Sequence, residues 1–322
     1  MERAAGWLKD DLARVQLFLQ GVLAAGAPLI GQVGEHLLGS GGKRIRPMLL
    51  LLSARLCGYR GEARIALAGV VELLHMATLL HDDVVDEAAV RRGRVSANVT
   101  WGNQAAVLVG DYLFARCFSL AVAAGDLRLA EVLASTAGRM AEGEVLQLMN
   151  RRDVQLDEGR YLDVVIGKTA ALFSAACRLG AILAARGGAD EESLAAFGLR
   201  LGMAFQLLDD VLDYVAAEAD SGKLPCHDLA EGKLTLPLIH ALRCCRPADR
   251  QRVAEILTRR HFEESERRFI IGLILQHDGI GYTRRRARQM VQEGREHLAG
   301  FAADPSRDAL EELADSLLAR RG

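Results

Sequence analysis

Apolar residues recur every three to four positions along most of the chain, and strict alternation of apolar and polar residues is almost absent. That pattern predicts helices and no strand longer than a few residues. Ala and Leu, both strong helix formers, dominate the apolar stretches, and no proline interrupts Met48 to Leu224. Breaks fall at Gly39-Ser-Gly-Gly42, Gly58 to Gly61, Arg91 to Asn98, Gly125-Asp126, Arg151-Arg152-Asp153, Arg186 to Asp190 and Ala219 to Asp228. The predicted helices run near 2–20, 27–38, 46–57, 62–88, 97–124, 127–150, 154–185, 191–217 and 232–245. A more charged helical tail follows from about 248 to 321. Segments 62–88 and 154–185 are apolar around most of their circumference, as helices at the centre of a bundle are. The expectation is an all-α protein, a single large helical bundle forming one domain over residues 1–322.

Composition narrows the function. Half of the residues are hydrophobic and a quarter charged, which fits a globular protein and excludes the disordered class. Lys and Arg number 40 against 42 Asp and Glu, so the net charge of −2 gives no global pull toward nucleic acid or anionic lipid. No nucleic-acid partner is expected. Cys57, Cys117, Cys177, Cys226, Cys244 and Cys245 form no CxxC pair and no metal-ligand spacing, which points to reduced thiols and a cytoplasmic location. Charges among residues 2–14 break the apolar core that a signal peptide needs. Glu72 and His75 interrupt Ile65 to Leu80, and Arg178 interrupts Ala171 to Ala185, so no membrane span is expected.

One long-range echo stands out: Leu79-Leu-His-Asp-Asp-Val-Val-Asp86 and Gln206-Leu-Leu-Asp-Asp-Val-Leu-Asp213. On a helix Asp82 and Asp86 share a face, as do Asp209 and Asp213, while Asp83 and Asp210 are rotated by roughly 100°. Like charges so placed repel, more so beside apolar neighbours that limit hydration, and a cation offsets the cost. A single such pair reads as a solvated acidic face; two copies in apolar surroundings point to divalent cations. Mg²⁺ binds one or two carboxylates together with substrate phosphates.

Basic residues complete the picture. Gly41-Gly-Lys-Arg-Ile-Arg-Pro47 joins a glycine turn to Lys43, Arg44 and Arg46 at a helix start, where a diphosphate can dock. Further candidates are Arg91, Arg92, Lys168, Lys223 and Lys233, each weak alone because surface cations are ordinary. Gly167-Lys168-Thr169 is not a nucleotide-binding P-loop, because the earlier glycine falls on Leu162 and the preceding segment reads as helix. His75 lies two helical turns before Asp82, nearly on its stripe.

GGKRIRP at 41–47, HDDVVDEAAVRRGR at 81–94, GKT at 167–169, FQLLDDVLD at 205–213 and DLAEGKLTLP at 228–237 together resemble the trans-type polyprenyl diphosphate synthases, in order and through nearly the whole chain. A class I terpene cyclase would share an aspartate-rich motif without GGKRIRP. A non-catalytic subunit of a heteromeric synthase would be expected to have lost aspartates, and both clusters are intact here. One departure is Leu224-Pro225-Cys226-His227-Asp228, where the family usually continues Pro-x-Gly-x-Asp after Gly222-Lys223.

The resemblance implies a bundle around a deep central cavity, the two aspartate clusters facing each other across its mouth, and a homodimer. It implies condensation of isopentenyl diphosphate with an allylic diphosphate, and a pattern closest to octaprenyl-like synthases that supply quinone side chains. Asp82, Asp86 and Asp209 would hold Mg²⁺, with Mn²⁺ as the alternative. Asp83, Asp210, Asp213 and Lys168 would share the catalytic work. Isopentenyl diphosphate would sit on Lys43, Arg46, His75 and Arg92. Arg91, Lys168, Thr169, Gln206, Lys223 and Lys233 would serve the allylic partner. Ala77 and Thr78, where short-chain members carry bulky aromatics, would leave a long tunnel, with Phe114 and Phe118 as its floor. A farnesyl or geranylgeranyl synthase is the alternative. Release of a long apolar product implies transient membrane contact.

Overall fold

A computed structural model describes residues 6–91, 93–215, 227–259 and 262–319. Its helices in chain order are α1 (Lys9–Ala24), α2 (Pro28–Gly39), α3 (Ile45–Leu56), α4 (Ala63–Val85), α5 (Ala97–Trp101), α6 (Asn103–Ala123), α7 (Leu127–Met149) and α8 (Glu158–Val165). A π-helical turn, Ile166–Ala170, leads into α9 (Ala171–Leu183), followed by α10 (Ala189–Val215) and the short α11 (His227–Ala230). The chain continues with α12 (Leu236–Cys244), α13 (Pro247–Leu257), α14 (Glu264–Gln276), α15 (Gly279–Leu298) and α16 (Pro305–Leu318). Among the described residues the only strands are β1 (Val90–Arg91) and β2 (Arg94–Val95), an antiparallel pair in which Val90 faces Val95 and Arg91 faces Arg94. The all-α expectation holds.

Differences from the predicted helices have local causes. The helix expected over 97–124 is cut at Gly102, whose φ of 86° suits glycine and ends the turn begun at Ala97. The stretch expected over 154–185 starts at Glu158, where Asp157 caps it by accepting from the Arg160 N–H, and is deformed at the π turn. The punctuation at Arg91 to Asn98 folds into the hairpin β1–β2, which is too short to carry an alternating pattern.

The chain forms two compact units. The first comprises Met1–Ala137, Leu172–Gly198 and Leu298–Glu312. Its centre is α4, which packs against α1, α3 and α6 and buries Leu67, Val70, Val71, Leu73, Leu74, Met76, Ala77 and Leu80. Burial around most of a helix leaves no amphipathic stripe, as its sequence anticipated. Asp11 of α1 is buried between Arg55 of α3 and Arg64 of α4, each with a nitrogen 2.8 Å from a carboxylate oxygen. The second unit comprises Gly138–Ala171, Leu199–His297 and Leu313–Gly322. There α12 packs on α14 and α8, and Glu158 accepts from Tyr282 Oη at 2.5 Å and Arg286 Nε at 2.8 Å, tying α15 to α8.

The expectation that no segment is long and apolar enough to cross a membrane is corrected. By length and composition α4, α6 and Glu158–Leu183 all qualify, since two charges in such a window do not disqualify it. Protein buries 72% of the apolar window in α4 and 78% in Glu158–Leu183, but 39% in α6. The first two are core helices; α6 exposes Val107, Leu108 and Val122.

Candidate active site

The first acidic cluster ends α4. Asp86 is the C-cap, its N–H donating to the Asp82 carbonyl at 2.8 Å, and the two side chains are half-buried. Two carboxylates at the negative end of a helix dipole make a place that attracts cations. Asp83 turns the other way and is buried. Arg91 of β1 donates from Nε to its Oδ1, and Asn98 Nδ2 donates to its backbone carbonyl at 3.0 Å. Burial pushes the Asp83 carboxyl above its usual range and Arg91 only partly opposes this. The hairpin thus returns a cation to the inward acid, so Arg91, expected on a diphosphate, is held by Asp83.

The second cluster lies near the end of α10. Asp209 is exposed, Asp213 half-buried and Asp210 buried. Tyr161 Oη of α8 donates to Asp210 Oδ2, and Gln206 Nε2 donates to Asp210 Oδ1 at 2.8 Å. Gln206 Oε1 accepts from the Thr169 hydroxyl at 2.7 Å. Burial raises the Asp210 carboxyl, reinforced by the charges of Asp228 and Asp209. Asp213 accepts the backbone N–H groups of His227 and Asp228 at 3.1 and 3.2 Å. His227, Asp228 and Glu231 bring one ligand atom each within 4.8 Å, but Glu231 already pairs with Lys233 at 2.6 Å.

Tyr161 is the participant that sequence reasoning missed. The available signal was spacing, because residues 161, 165 and 168 fall on one stripe of a regular helix. The π turn then places Lys168 and Thr169, and such turns often mark functional positions. Gly143 of α7 and Gly167 make the close approach possible: a Cβ on Gly143 would lie 2.5 Å from the Lys168 nitrogen. Lys168 Nζ reaches Glu144 at 2.6 Å and Gln147 at 2.9 Å.

The structure also sorts the arginines of the glycine turn. Arg44 has a φ of 48°, pairs with Glu72 and donates toward Gln16 and the Leu38 carbonyl, so it pins the turn inward. Lys43 is exposed and Arg46 half-buried, the latter's guanidinium 4.9 Å from the Phe173 ring centre. His75 is half-buried on α4, and its carbonyl accepts from the Thr78 hydroxyl at 2.8 Å. Ala77 is fully buried. Phe114 stacks on His81, ring centres 5.6 Å apart, and Phe118 is half-buried.

Lys43, Arg46, His75, Ala77, Thr78, Asp82, Asp83, Asp86, Arg91, Phe114 and Phe118 all belong to the first unit. Lys168, Thr169, Gln206, Asp209, Asp210, Asp213 and Lys233 belong to the second. Of these, Lys168, Thr169, Gln206, Asp210 and Lys233 line one cavity of about 110 Å³ with Tyr161, Asp228 and the apolar Val164, Val165 and Leu234. Arg92, Lys223 and the Leu224-Pro225-Cys226 departure lie outside the described residues. The thiols of Cys57, Cys117, Cys177, Cys244 and Cys245 are free; burial pushes Cys57 up to about 11 and Cys117 and Cys177 up to about 12, where they are inert.

Residues 27–274 match the polyprenyl synthetase family. The octaprenyl diphosphate synthase of Escherichia coli (strain K12) is 40% identical over 309 residues, covering 95% of this chain and 94% of that protein. The decaprenyl diphosphate synthase of Rhodobacter capsulatus superposes with a TM-score of 0.93 at 40% identity over 98% of both chains. The polyprenyl synthase of Caulobacter crescentus CB15, solved with calcium and isoprenyl diphosphate, gives a TM-score of 0.94 at 40% identity over 100% of this chain and 98% of that one. The chain belongs to the polyprenyl synthetase family and is a prenyltransferase.

Proposed function

We propose that this enzyme adds isopentenyl diphosphate repeatedly to an allylic diphosphate and releases an all-trans polyprenyl diphosphate of heptaprenyl to octaprenyl length or longer, for quinone side chains. The observation that carries this reading is the cavity where Lys168, Thr169, Gln206 and Asp210 meet. It sets a cation suited to a diphosphate beside oxygen atoms suited to an electron-poor carbon. Similarity to octaprenyl and decaprenyl synthases supports the product range.

In the reaction the allylic carbon–oxygen bond breaks, the double bond of isopentenyl diphosphate forms the new carbon–carbon bond, and a proton is lost. Departure of the leaving group is the hard step, so preorganised charge supplies most of the acceleration. Lys168 exchanges Glu144 and Gln147 for diphosphate oxygens, a charge-assisted hydrogen bond formed in a partly dry cavity. Lys43, Arg46 and His75 hold the diphosphate of isopentenyl diphosphate. Thr169 and Gln206 face the allylic carbon.

The carboxylates of Asp82 and Asp86, and that of Asp209, offer hard oxygen ligands, which fit Mg²⁺ better than any soft metal. Bound there, Mg²⁺ would draw electron density from the diphosphate oxygens. The apolar surface of Val107, Leu108 and Val122 on α6 suits a second copy of the chain, which supports a homodimer. The enzyme works as one domain in the cytoplasm, where its thiols stay reduced. Transient bilayer contact then receives the apolar product.

The test is an assay with labelled isopentenyl diphosphate, several allylic starters and Mg²⁺, read by product length. Seven or eight isoprene units or more are expected; a halt at farnesyl or geranylgeranyl length refutes the long-chain reading. Ala77 is fully buried, and if it bounds the product tunnel, Ala77→Tyr shortens the product while sparing the first condensation. Unchanged length in a folded, active variant removes Ala77 from the tunnel wall.

A further inference from the structure

We infer that Tyr161 is a positioning residue for this reaction: acting through Asp210 and Gln206, it fixes the Thr169 hydroxyl as a hydrogen-bond acceptor toward the cavity in which the allylic cation develops. The inference rests on reading the Lys168–Thr169 cavity as the allylic site.

The chain of donors has one consistent direction. Gln206 Nε2 faces Asp210 Oδ1, the oxygen that accepts even with the carboxyl, which burial pushes up to about 8, protonated on Oδ2. Tyr161 Oη donates to Asp210 Oδ2, which leaves Oδ1 as the acceptor that faces Gln206. The Gln206 amide turns its NH₂ group to Asp210 and its carbonyl to Thr169, at 2.8 and 2.7 Å. A hydroxyl has one proton and two lone pairs. With its proton spent on Gln206 Oε1, Thr169 can offer the cavity only lone pairs.

Polarity is the consequence. A Thr169 proton turned into the cavity would set positive potential beside a carbon that becomes cationic as the diphosphate leaves. Lone pairs set negative potential there, and in a poorly solvated cavity that difference is felt strongly. Thr169 and Asp210 are both buried, so water cannot readily take over the missing links. Without the Tyr161 hydroxyl, Asp210 Oδ2 loses its donor and competes for the Gln206 NH₂ group. The amide then turns or flips, and the Thr169 proton is no longer held away from the cavity. The Tyr161 ring, which lines the cavity together with Val164 and Val165, remains in a phenylalanine variant.

The experiment compares wild type with Tyr161→Phe, after wild-type condensation activity has been established; absence of that activity would refute the functional reading itself. Affinity is measured for two unreactive allylic analogues of equal length, one a thiodiphosphate whose prenyl chain is uncharged (the neutral analogue) and the other a diphosphate carrying an ammonium nitrogen in place of the reacting carbon. Tyr161→Phe is expected to weaken the cationic analogue about 10-fold and lower kcat by about 10- to 100-fold, as loss of a preorganised group does. The neutral analogue and the KM for isopentenyl diphosphate should stay within about twofold. Equal loss for both analogues, or no loss for either, overturns the proposal, because a merely structural tyrosine would not discriminate between them. Gln206→Met removes the same relay with similar volume and is expected to show the same discrimination. Adding Tyr161→Phe to it should change little, whereas multiplying losses would overturn the relay. If Tyr161→Phe does not fold, Tyr161→Met, which also lacks the hydroxyl, is read with the same two analogues.

Discussion

The segments Asp82-Asp83-Val-Val-Asp86 and Asp209-Asp210-Val-Leu-Asp213 carry the same spacing of acids, and in both the second aspartate turns into the protein. What meets that buried carboxylate differs. Asp83 is closed off by a cation, Arg91, delivered by a six-residue hairpin immediately downstream. Asp210 is met by two neutral donors, Tyr161 and Gln206, whose other contacts open onto the cavity. The last acids differ too: Asp86 caps the end of its own helix, while Asp213 accepts the first N–H groups of α11. Two copies of one motif thus divide into a locally neutralised anchor for a hairpin and a polar hub for chemistry. Of the outer positions, Asp82 and Asp86 are half-buried and Asp209 is exposed.

The largest effects should fall on those outer acids. Asp82→Ala or Asp209→Ala is expected to lower turnover by about 10³-fold or more, the scale of losing a metal ligand. Neither should lower the melting temperature, since each relieves like-charge repulsion at a partly solvated position. Steady-state kinetics at saturating Mg²⁺ and thermal melts check both halves, and near-normal turnover in either variant ends the metal assignment.

The inner acids should respond in the opposite sense, with stability ahead of turnover at Asp83 and turnover ahead of stability at Asp210. Asp83→Asn leaves Arg91 without its counter-charge; Arg91 is partly exposed and can rehydrate, so the expected cost is about 2 kcal/mol, below that of a fully buried pair. Asp210→Asn keeps one good acceptor of two and should cost about 1 kcal/mol. Urea unfolding of both variants gives the order directly; if Asp210→Asn is the more destabilising, the contrast between anchor and hub is wrong.

A smaller effect separates the two diphosphates. Arg46→Ala should raise the KM for isopentenyl diphosphate about 10-fold, whereas Lys168→Ala should fall mainly on the allylic substrate or its ionisation. Equal changes in the same constant would merge the two pockets.

Most of this division was invisible in the sequence. The helices were legible because long Ala/Leu-rich periodic segments contain their own evidence, and the acids were legible because like charges at i and i+4 need a reason. The partner of a buried acid is a tertiary fact. Arg91 and Arg92 are adjacent and chemically equal in the sequence, and only the hairpin register sends Arg91 to Asp83. Lys43, Arg44 and Arg46 look like one basic patch until the positive φ at Arg44 turns its side chain to Glu72. Tyr161 carries no charge, and its only local signal is a helical spacing to Lys168 that many residues in an amphipathic stretch share.

A third buried aspartate calibrates the first two. Asp11, like Asp83, is buried and paired with arginine, but it has two partners, Arg55 and Arg64, instead of one. Burial pushes both carboxyls up; at Asp11 the arginines outweigh burial and hold it below its usual range, whereas at Asp83 the single Arg91 does not. The signs of their pH dependence are therefore opposite. A lowered folded-state pKa adds stability that is present above the unfolded value of about 3.9 and is lost as pH falls through the folded value. A raised one adds stability that is full below about 3.9 and is lost as pH rises through the folded value. Asp11→Asn should accordingly destabilise the protein near neutral pH, and its deficit against wild type should shrink as pH falls below about 4. The deficit of Asp83→Asn should instead hold or grow over the same range, because acid relieves its cost in the wild type. Urea unfolding between pH 3 and pH 7 reads both slopes. Parallel slopes would mean that the number of arginines around a buried carboxylate does not set its titration here, and the contrast between Asp83 and Asp210 would then have to rest on geometry alone.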